Sequence, residues 1–111
     1  MVAGAGPLRG DVHLVQLDPT RGSEIQKTRP CLVVSPDELN AHMHTVIIAP
    51  MTTSGRAYPF RVSCRFQNRS GFVALDQLRT VDGERLVRRL GTLPTEATDR
   101  VLDTLRAMFA R

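Results

Sequence analysis

The segment Gly22-Ser23-Glu24-Ile25-Gln26-Lys27-Thr28-Arg29-Pro30 sets one acid and two bases directly before the apolar run Cys31-Leu32-Val33-Val34. A carboxylate can accept a proton, and a guanidinium offers a planar fork to two phosphate oxygens. A loop that only turned the chain would not need Glu24, Lys27 and Arg29 at the mouth of a rigid strand. Other reactive types recur at expected strand ends: Thr52 and Thr53 after one apolar run, Asp76 and Gln77 after another. One end of a small barrel could gather all seven. Each also has a plain structural reading. Glu24 and Lys27 can be a solvated loop pair, the threonines turn residues, and Asp76 a strand-end acceptor.

Other chemistries lack their residues. His42 and His44 stand two apart near an expected helix end, His13 is isolated, and no cysteine or carboxylate group completes a metal set. No HExxH, GxSxG or glycine-rich phosphate loop occurs, and the early Gly-Ala-Gly has no strand before it. Cys31 and Cys64 sit inside apolar strand patterns and read as small buried hydrophobes. A stacking platform for bases is not expected. There is no tryptophan and one tyrosine, Tyr58, and the four phenylalanines mostly follow core periodicity.

The chain of 111 residues suits one domain with a modest core. Its net charge of +4 is carried by arginine, since Lys27 is the only lysine. Arginine matches planar bidentate anions such as phosphate, although a genome rich in arginine codons gives the same bias. No apolar run approaches a membrane span, and the first nine residues are too short and weakly apolar for a signal peptide, so a cytoplasmic location is expected.

The elements that must position these residues read as follows. Residues 1–9 form a loose terminus and 10–111 a single domain. Strands are expected at 11–17, 31–35 and 45–49, the last closed by Pro50. Ser35-Pro36-Asp37-Glu38 predicts a capping box opening a short helix over 36–41. Phe60, Val62, Cys64 and Phe66 alternate with Arg61, Ser63, Arg65 and Gln67, a strand with one apolar and one wet, basic face. Residues 68–71 are expected to turn a hairpin, 72–75 and 78–81 to continue the sheet, and 86–93 fits helix or strand equally. Thr95 is expected to cap a C-terminal helix whose Val101, Leu102, Leu105, Met108 and Phe109 share one face. The whole predicts a mostly β protein with short helices: a small, strongly bent sheet or partly open barrel with a C-terminal α-helix.

The residues quoted above, with "VIIAPMTTS", "YPFRV" and "GFVALDQLRTVD", resemble the MazF/PemK toxins of bacterial toxin–antitoxin pairs over nearly the whole chain. That resemblance implies an SH3-like barrel, a homodimer, and metal-independent cleavage of single-stranded RNA to a 2′,3′-cyclic phosphate and a 5′-hydroxyl. It implies no cofactor, and an antitoxin that blocks the enzyme with an extended acidic tail. By the same resemblance Glu24, Arg29 and Thr52 are the catalytic candidates. Lys27, Thr53, Arg61, Arg65, Asp76 and Gln77 are candidates for RNA binding. A branch of the family uses an arginine and an aspartate near the "DQ" segment; here Asp76 is kept, but the arginine position reads Ala74. In-line attack by a ribose 2′-OH would use Glu24 as base, Arg29 as charge stabiliser and Thr52 as neutral donor, with Lys27 an alternative source of the leaving group's proton. A rival is a CcdB-like toxin that binds a topoisomerase and cleaves nothing. Such toxins resemble one another in a tryptophan-containing C-terminal end, which this chain lacks. A non-catalytic relic that still binds antitoxin is a third reading, opposed by the intact Glu24, Arg29 and Thr52.

Overall fold

The computed structural model describes residues 6–111. In chain order the elements are β1 (Asp11–Gln16), β2 (Thr28–Val33), α1 (Asp37–His42), β3 (Thr45–Thr52), β4 (Arg61–Phe66), β5 (Arg69–Ala74), β6 (Arg79–Asp82), β7 (Leu86–Thr92) and α2 (Thr95–Phe109). Single 3₁₀ turns, Leu75–Gln77 and Gly83–Arg85, flank β6. The mostly β reading with a C-terminal helix holds. The strands run β4-β5-β3-β2-β1-β7, all pairs being antiparallel, and β6 also pairs with β3.

β3 bends the sheet because it changes partners on one side. Thr45 to Ile48 pair with β6, whereas Met51 and Thr52 pair with β5. The curl brings the end of β4 back toward β7, where Gln67 Nε2 donates to the Leu90 carbonyl at 3.2 Å. β4 and β7 do not pair as strands, so the sheet is barrel-like without being closed.

Strand alternation divides the core. One cluster takes Leu32, Ala49, Met51, Val62 and Val73, with Ala97 and Val101 of α2 packed on it. The other takes Cys31, Val33, Val46 and Ile48, with Val15, Leu17 and Val81. Leu105 and Met108 pack against the first cluster, as the helical spacing predicts, but Phe109 is 72% exposed.

Several boundaries differ from expectation for identifiable reasons. β3 runs through Pro50 instead of stopping before it. Pro50 falls between the β6-paired and β5-paired stretches, where the strand exchanges neighbours, so a missing N–H is tolerated. Ser35 does not cap α1. Pro36 is the cap residue, and no side chain caps the helix. The Ser35 hydroxyl instead donates to Asn40 Oδ1 and accepts the Ile47 N–H at 3.0 Å, forming a buried polar node. Thr95 likewise is the first residue of α2 rather than its cap, which is Pro94. The stretch that fitted helix or strand is β7.

The expected turn at 68–71 lies earlier. Phe66 pairs with Arg69, leaving Gln67 and Asn68 as a two-residue loop with φ of 50° and 63°. Both residues being left-handed is what a tight β-hairpin requires. Of the expected loose terminus, residues 1–5 lie outside the described residues. Pro7 accepts from Asn40 Nδ2 at 2.8 Å, and the Arg9 N–H donates to Asp37 at 2.7 Å. Among the described residues no helix is long and apolar enough to cross a membrane.

Candidate functional site

Arg29 and Thr52 end up at one cavity, although 23 positions separate them in the sequence. Arg29 is the second residue of β2, not a loop residue, and Pro30 confines it to extended backbone. Its Nε donates to the Gln26 carbonyl at 3.2 Å, which aims the far end of the guanidinium outward. Behind it, Cys31 is fully buried. Its thiol donates to the Arg29 carbonyl, and burial pushes its pKa up to about 12. Thr52 is the last residue of β3, and its hydroxyl oxygen accepts the Ser54 N–H at 3.1 Å.

Gly71 allows β5 to lie against this strand end: a Cβ there would meet the Thr52 carbonyl oxygen at 2.3 Å. The resulting cavity has a volume of about 300 Å³. Thr53 joins Arg29 and Thr52 on its wall, and Arg69 and Gln67 add polar groups. A neighbouring depression shares Thr53, Cys64 and Phe72 with it and is flanked by Arg65 and Arg100. Among the described residues no carboxylate lines either depression.

Glu24 is not in this cavity. It lines a second one with Ser23, Ile25, Pro50, Asp76 and Gln77. Pro50 and Met51 face opposite ways along β3, and each lines a different cavity. The three catalytic candidates are thus divided, two on one side and Glu24 on the other. The Glu24 carboxylate is turned back on its own loop, accepting the Arg21 N–H. That loop is tied down by Gln77, whose Oε1 accepts the Ile25 N–H at 2.9 Å and whose Nε2 donates to the Ser23 carbonyl at 3.2 Å.

Arg61 forms a two-bond pair with Asp76: Nε to Oδ1 and the second guanidinium nitrogen to Oδ2, both at 2.9 Å. Arg61 bonding holds the Asp76 carboxyl below the ordinary range, and the same bond raises the arginine. The guanidinium also lies over the Tyr58 ring, 5.6 Å from its centre. Arg61 is the cross-strand partner of Ala74, the position where the resemblance called for an arginine. A guanidinium therefore still meets the aspartate, delivered from the adjacent strand. Lys27 has φ of 70° at the entrance to β2, and its carbonyl accepts the Leu17 N–H.

The sequence reading missed Phe66 and Phe72, which with Met51, Cys64 and Pro30 form the apolar walls of the Arg29 cavity. Phe66 fitted the alternation of a core face. That alternation is real, but β4 is a margin of the sheet, and its inner face is only partly covered. Arg69 was placed in a turn. The signal available was Gln67-Asn68, since Asn tolerates the left-handed region that a two-residue turn needs. Among the described residues no three or more histidine, cysteine, aspartate or glutamate side chains are grouped to hold a metal ion.

Comparison with known proteins adds what geometry alone does not. The model of the family described as "PemK-like, MazF-like toxin of type II toxin-antitoxin system" matches residues 8–109. The chain belongs to that family. The chain is 37% identical to the endoribonuclease toxin MazF of Escherichia coli K12 over 81 residues, 73% of each protein. It is 32% identical to the endoribonuclease EndoA of Bacillus subtilis over 108 residues, covering 92% of this chain and 93% of that one. The solved MazF of Deinococcus radiodurans superposes with a TM-score of 0.81 at 27% identity, over 93% of this chain and 96% of that one. A mycobacterial endoribonuclease solved in complex with its cognate antitoxin gives 0.77 at 25% identity, over 91% and 92%. In this member of the PemK/MazF family, β2 and β3 bring the arginine before proline and the threonine that ends β3 to one cavity.

Proposed function

We propose that the chain is a sequence-specific endoribonuclease that cuts single-stranded RNA without a metal, and that a cognate antitoxin blocks it. The observation that carries this reading is the Arg29–Thr52 cavity, open, flanked by arginines and free of carboxylates, in a chain whose relatives are named endoribonucleases. The ribose 2′-oxygen forms a bond to the adjacent phosphorus and the bond to the 5′-oxygen breaks, leaving a 2′,3′-cyclic phosphate and a 5′-hydroxyl. The 2′-OH proton goes to a base, and the departing oxygen takes up another. Arg29 stabilises the crowded phosphate through its two-pronged donor set, and the Thr52 hydroxyl adds a neutral donor.

Glu24 is assigned the base. To reach a 2′-OH held at Arg29 it must release the Arg21 N–H, so its loop moves when RNA binds. An extended acidic antitoxin segment matches the cations around the same cavity and competes with RNA. The exposed Phe109 at the end of α2 supports a twofold dimer built partly on that helix. The protein acts in the cytoplasm.

Single-turnover cleavage of a mixed RNA in chelator tests the reading. Cutting should persist, and one 2′-deoxynucleotide at the cut site should abolish it. Arg29→Ala should lower the rate at least about 100-fold, as removal of a preorganised donor does. Glu24→Gln should slow the chemical step and leave RNA affinity unchanged. Loss of all cleavage in chelator, or equal cutting of the deoxy substrate, defeats the mechanism. Wild-type rates in both variants defeat the residue assignment.

A further inference from the structure

The catalytic candidates stand in two cavities, and one short element is bonded to the loops of both. That element is the 3₁₀ turn Leu75–Gln77. On one side Gln77 grips Ser23 and Ile25, the residues that flank Glu24. On the other side the turn is tied twice to the far end of the β3–β4 loop, residues 53–60, which begins directly after Thr52. The Leu75 N–H donates to the Phe60 carbonyl at 3.2 Å, and Asp76 accepts two bonds from Arg61, each 2.9 Å.

Arg61 also reaches back into that loop. Its guanidinium carbon lies 5.6 Å from the centre of the Tyr58 ring, and a Cβ on Gly55 would stand 3.7 Å from its remaining nitrogen. The Arg61 side chain is only 16% exposed at the start of β4. A guanidinium so enclosed, with its fork already matched to a carboxylate, has little left for a phosphate. Phe60 is an independent sign of constraint. Its φ of 65° is costly for an aromatic residue and persists only where the surroundings hold it. The ties to Leu75 and Asp76 are those surroundings.

We propose that Arg61 is a positioning residue that clamps the β3–β4 loop to the turn holding the Glu24 loop, so that the two halves of the divided site move together when RNA binds. The inference rests on the ribonuclease reading and deepens it. Glu24 must release the Arg21 N–H to act, and through Gln77, Asp76 and Arg61 that release is felt at Thr52. Arg61 and Asp76 then serve the loops that close on RNA, not the RNA itself.

Tyr58 makes the test direct, because it is the only tyrosine. Protein labelled with fluorotyrosine has a single fluorine NMR resonance, placed against Arg61. Gln77→Ala alters neither Tyr58 nor Arg61, and it should shift that resonance. The same substitution should cause no shift in an Arg61→Gln background. In single-turnover cleavage, Arg61→Gln should lower the rate at saturating RNA at least about tenfold, as misplacement of a reacting group does, with RNA affinity changed less than about threefold. Asp76→Asn should show the same split. Arg61→Lys keeps the charge but not the fork and should not rescue the rate, whereas the exchange Arg61→Asp with Asp76→Arg should restore most of it. Arg61→Gln and Gln77→Ala together should lose at least about threefold less than the product of their separate losses, since both break one link.

A Tyr58 resonance that ignores Gln77→Ala, or responds equally in the Arg61→Gln background, overturns the proposal. So does an Arg61→Gln loss confined to RNA affinity, or an Asp76→Asn variant that binds RNA more tightly, since either makes Arg61 a direct phosphate ligand. If the wild-type protein cuts no RNA, the ribonuclease reading fails by itself, and the fluorine comparison, which needs no RNA, still decides the clamp.

Discussion

Gln77 and Ile25 lie 52 positions apart and are joined by a 2.9 Å hydrogen bond from the Ile25 N–H to the Gln77 side chain. With the second bond, from Gln77 Nε2 to the Ser23 carbonyl, one amide grips both residues that flank Glu24. The position of that loop is therefore set by a residue in the turn between β5 and β6. Gln77→Ala should cost about 1–2 kcal/mol of local stability, the sum of two modest hydrogen bonds. Hydrogen exchange at the Ile25 amide should accelerate roughly tenfold, since that energy range spans a factor of ten. Cleavage should slow because Glu24 loses its support. An unchanged Ile25 exchange rate would show that the grip contributes nothing.

The Arg61–Asp76 pair predicts a specific pH response. Folding lowers the Asp76 pKa, chiefly through the Arg61 hydrogen bonds, so the pair stabilises the protein fully above the ordinary carboxylate value of about 3.9. The contribution fades as pH falls through the lowered folded value. Asp76→Asn should lower the melting temperature at pH 7 by less than about 5 °C, because the carboxylate is 42% exposed and the pair is screened. Melting curves of variant and wild type should converge once pH falls below the lowered folded value of Asp76. A difference that persists there contradicts the electrostatic account.

Gly71 is the position at which β5 can approach β3. Gly71→Ala places a carbon 2.3 Å from the Thr52 carbonyl oxygen, and both partners are backbone, so neither can swing aside. The variant should lose about 2 kcal/mol or more and melt early. The Arg29 cavity should change shape with it, and RNA affinity should fall further than in a variant of equal stability altered in α1. Near-wild-type melting would mean the two strands are not held so closely in solution.

His13 should give the fold a second pH dependence near neutrality. Burial lowers its pKa despite the opposing pull of Asp11, and Arg89 adds to the lowering. Among the described residues neither ring nitrogen has a hydrogen-bond partner. A lowered folded pKa means stability is fully present above about 6.5 and is lost as pH falls from there through the folded value. His13→Phe should remove most of that slope between pH 7 and 5, as read by denaturant melts. An equal slope in the variant assigns the effect elsewhere.

Much of this protein is written in local pattern. Alternation over residues 60–67 marked β4, helical spacing from Val101 to Met108 marked the core face of α2, and Glu24, Arg29 and Thr52 stood out by type and by their resemblance to the toxin family. These depend on neighbours along the chain, where side-chain periodicity and backbone restrictions act directly. What the residues do to one another across the sheet was not legible. Nothing local tells that β3 exchanges β6 for β5 at Pro50, that Glu24 lines a different cavity from Arg29, or that Gln77 grips the Glu24 loop. The same holds for Arg61, which meets Asp76 from the strand opposite Ala74, and for Phe66 and Phe72, which line the Arg29 cavity. Each of these is a long-range pairing fixed by strand register. Register is decided only when the whole sheet closes over its two cores, and there one residue of slip would send every side chain to the other face.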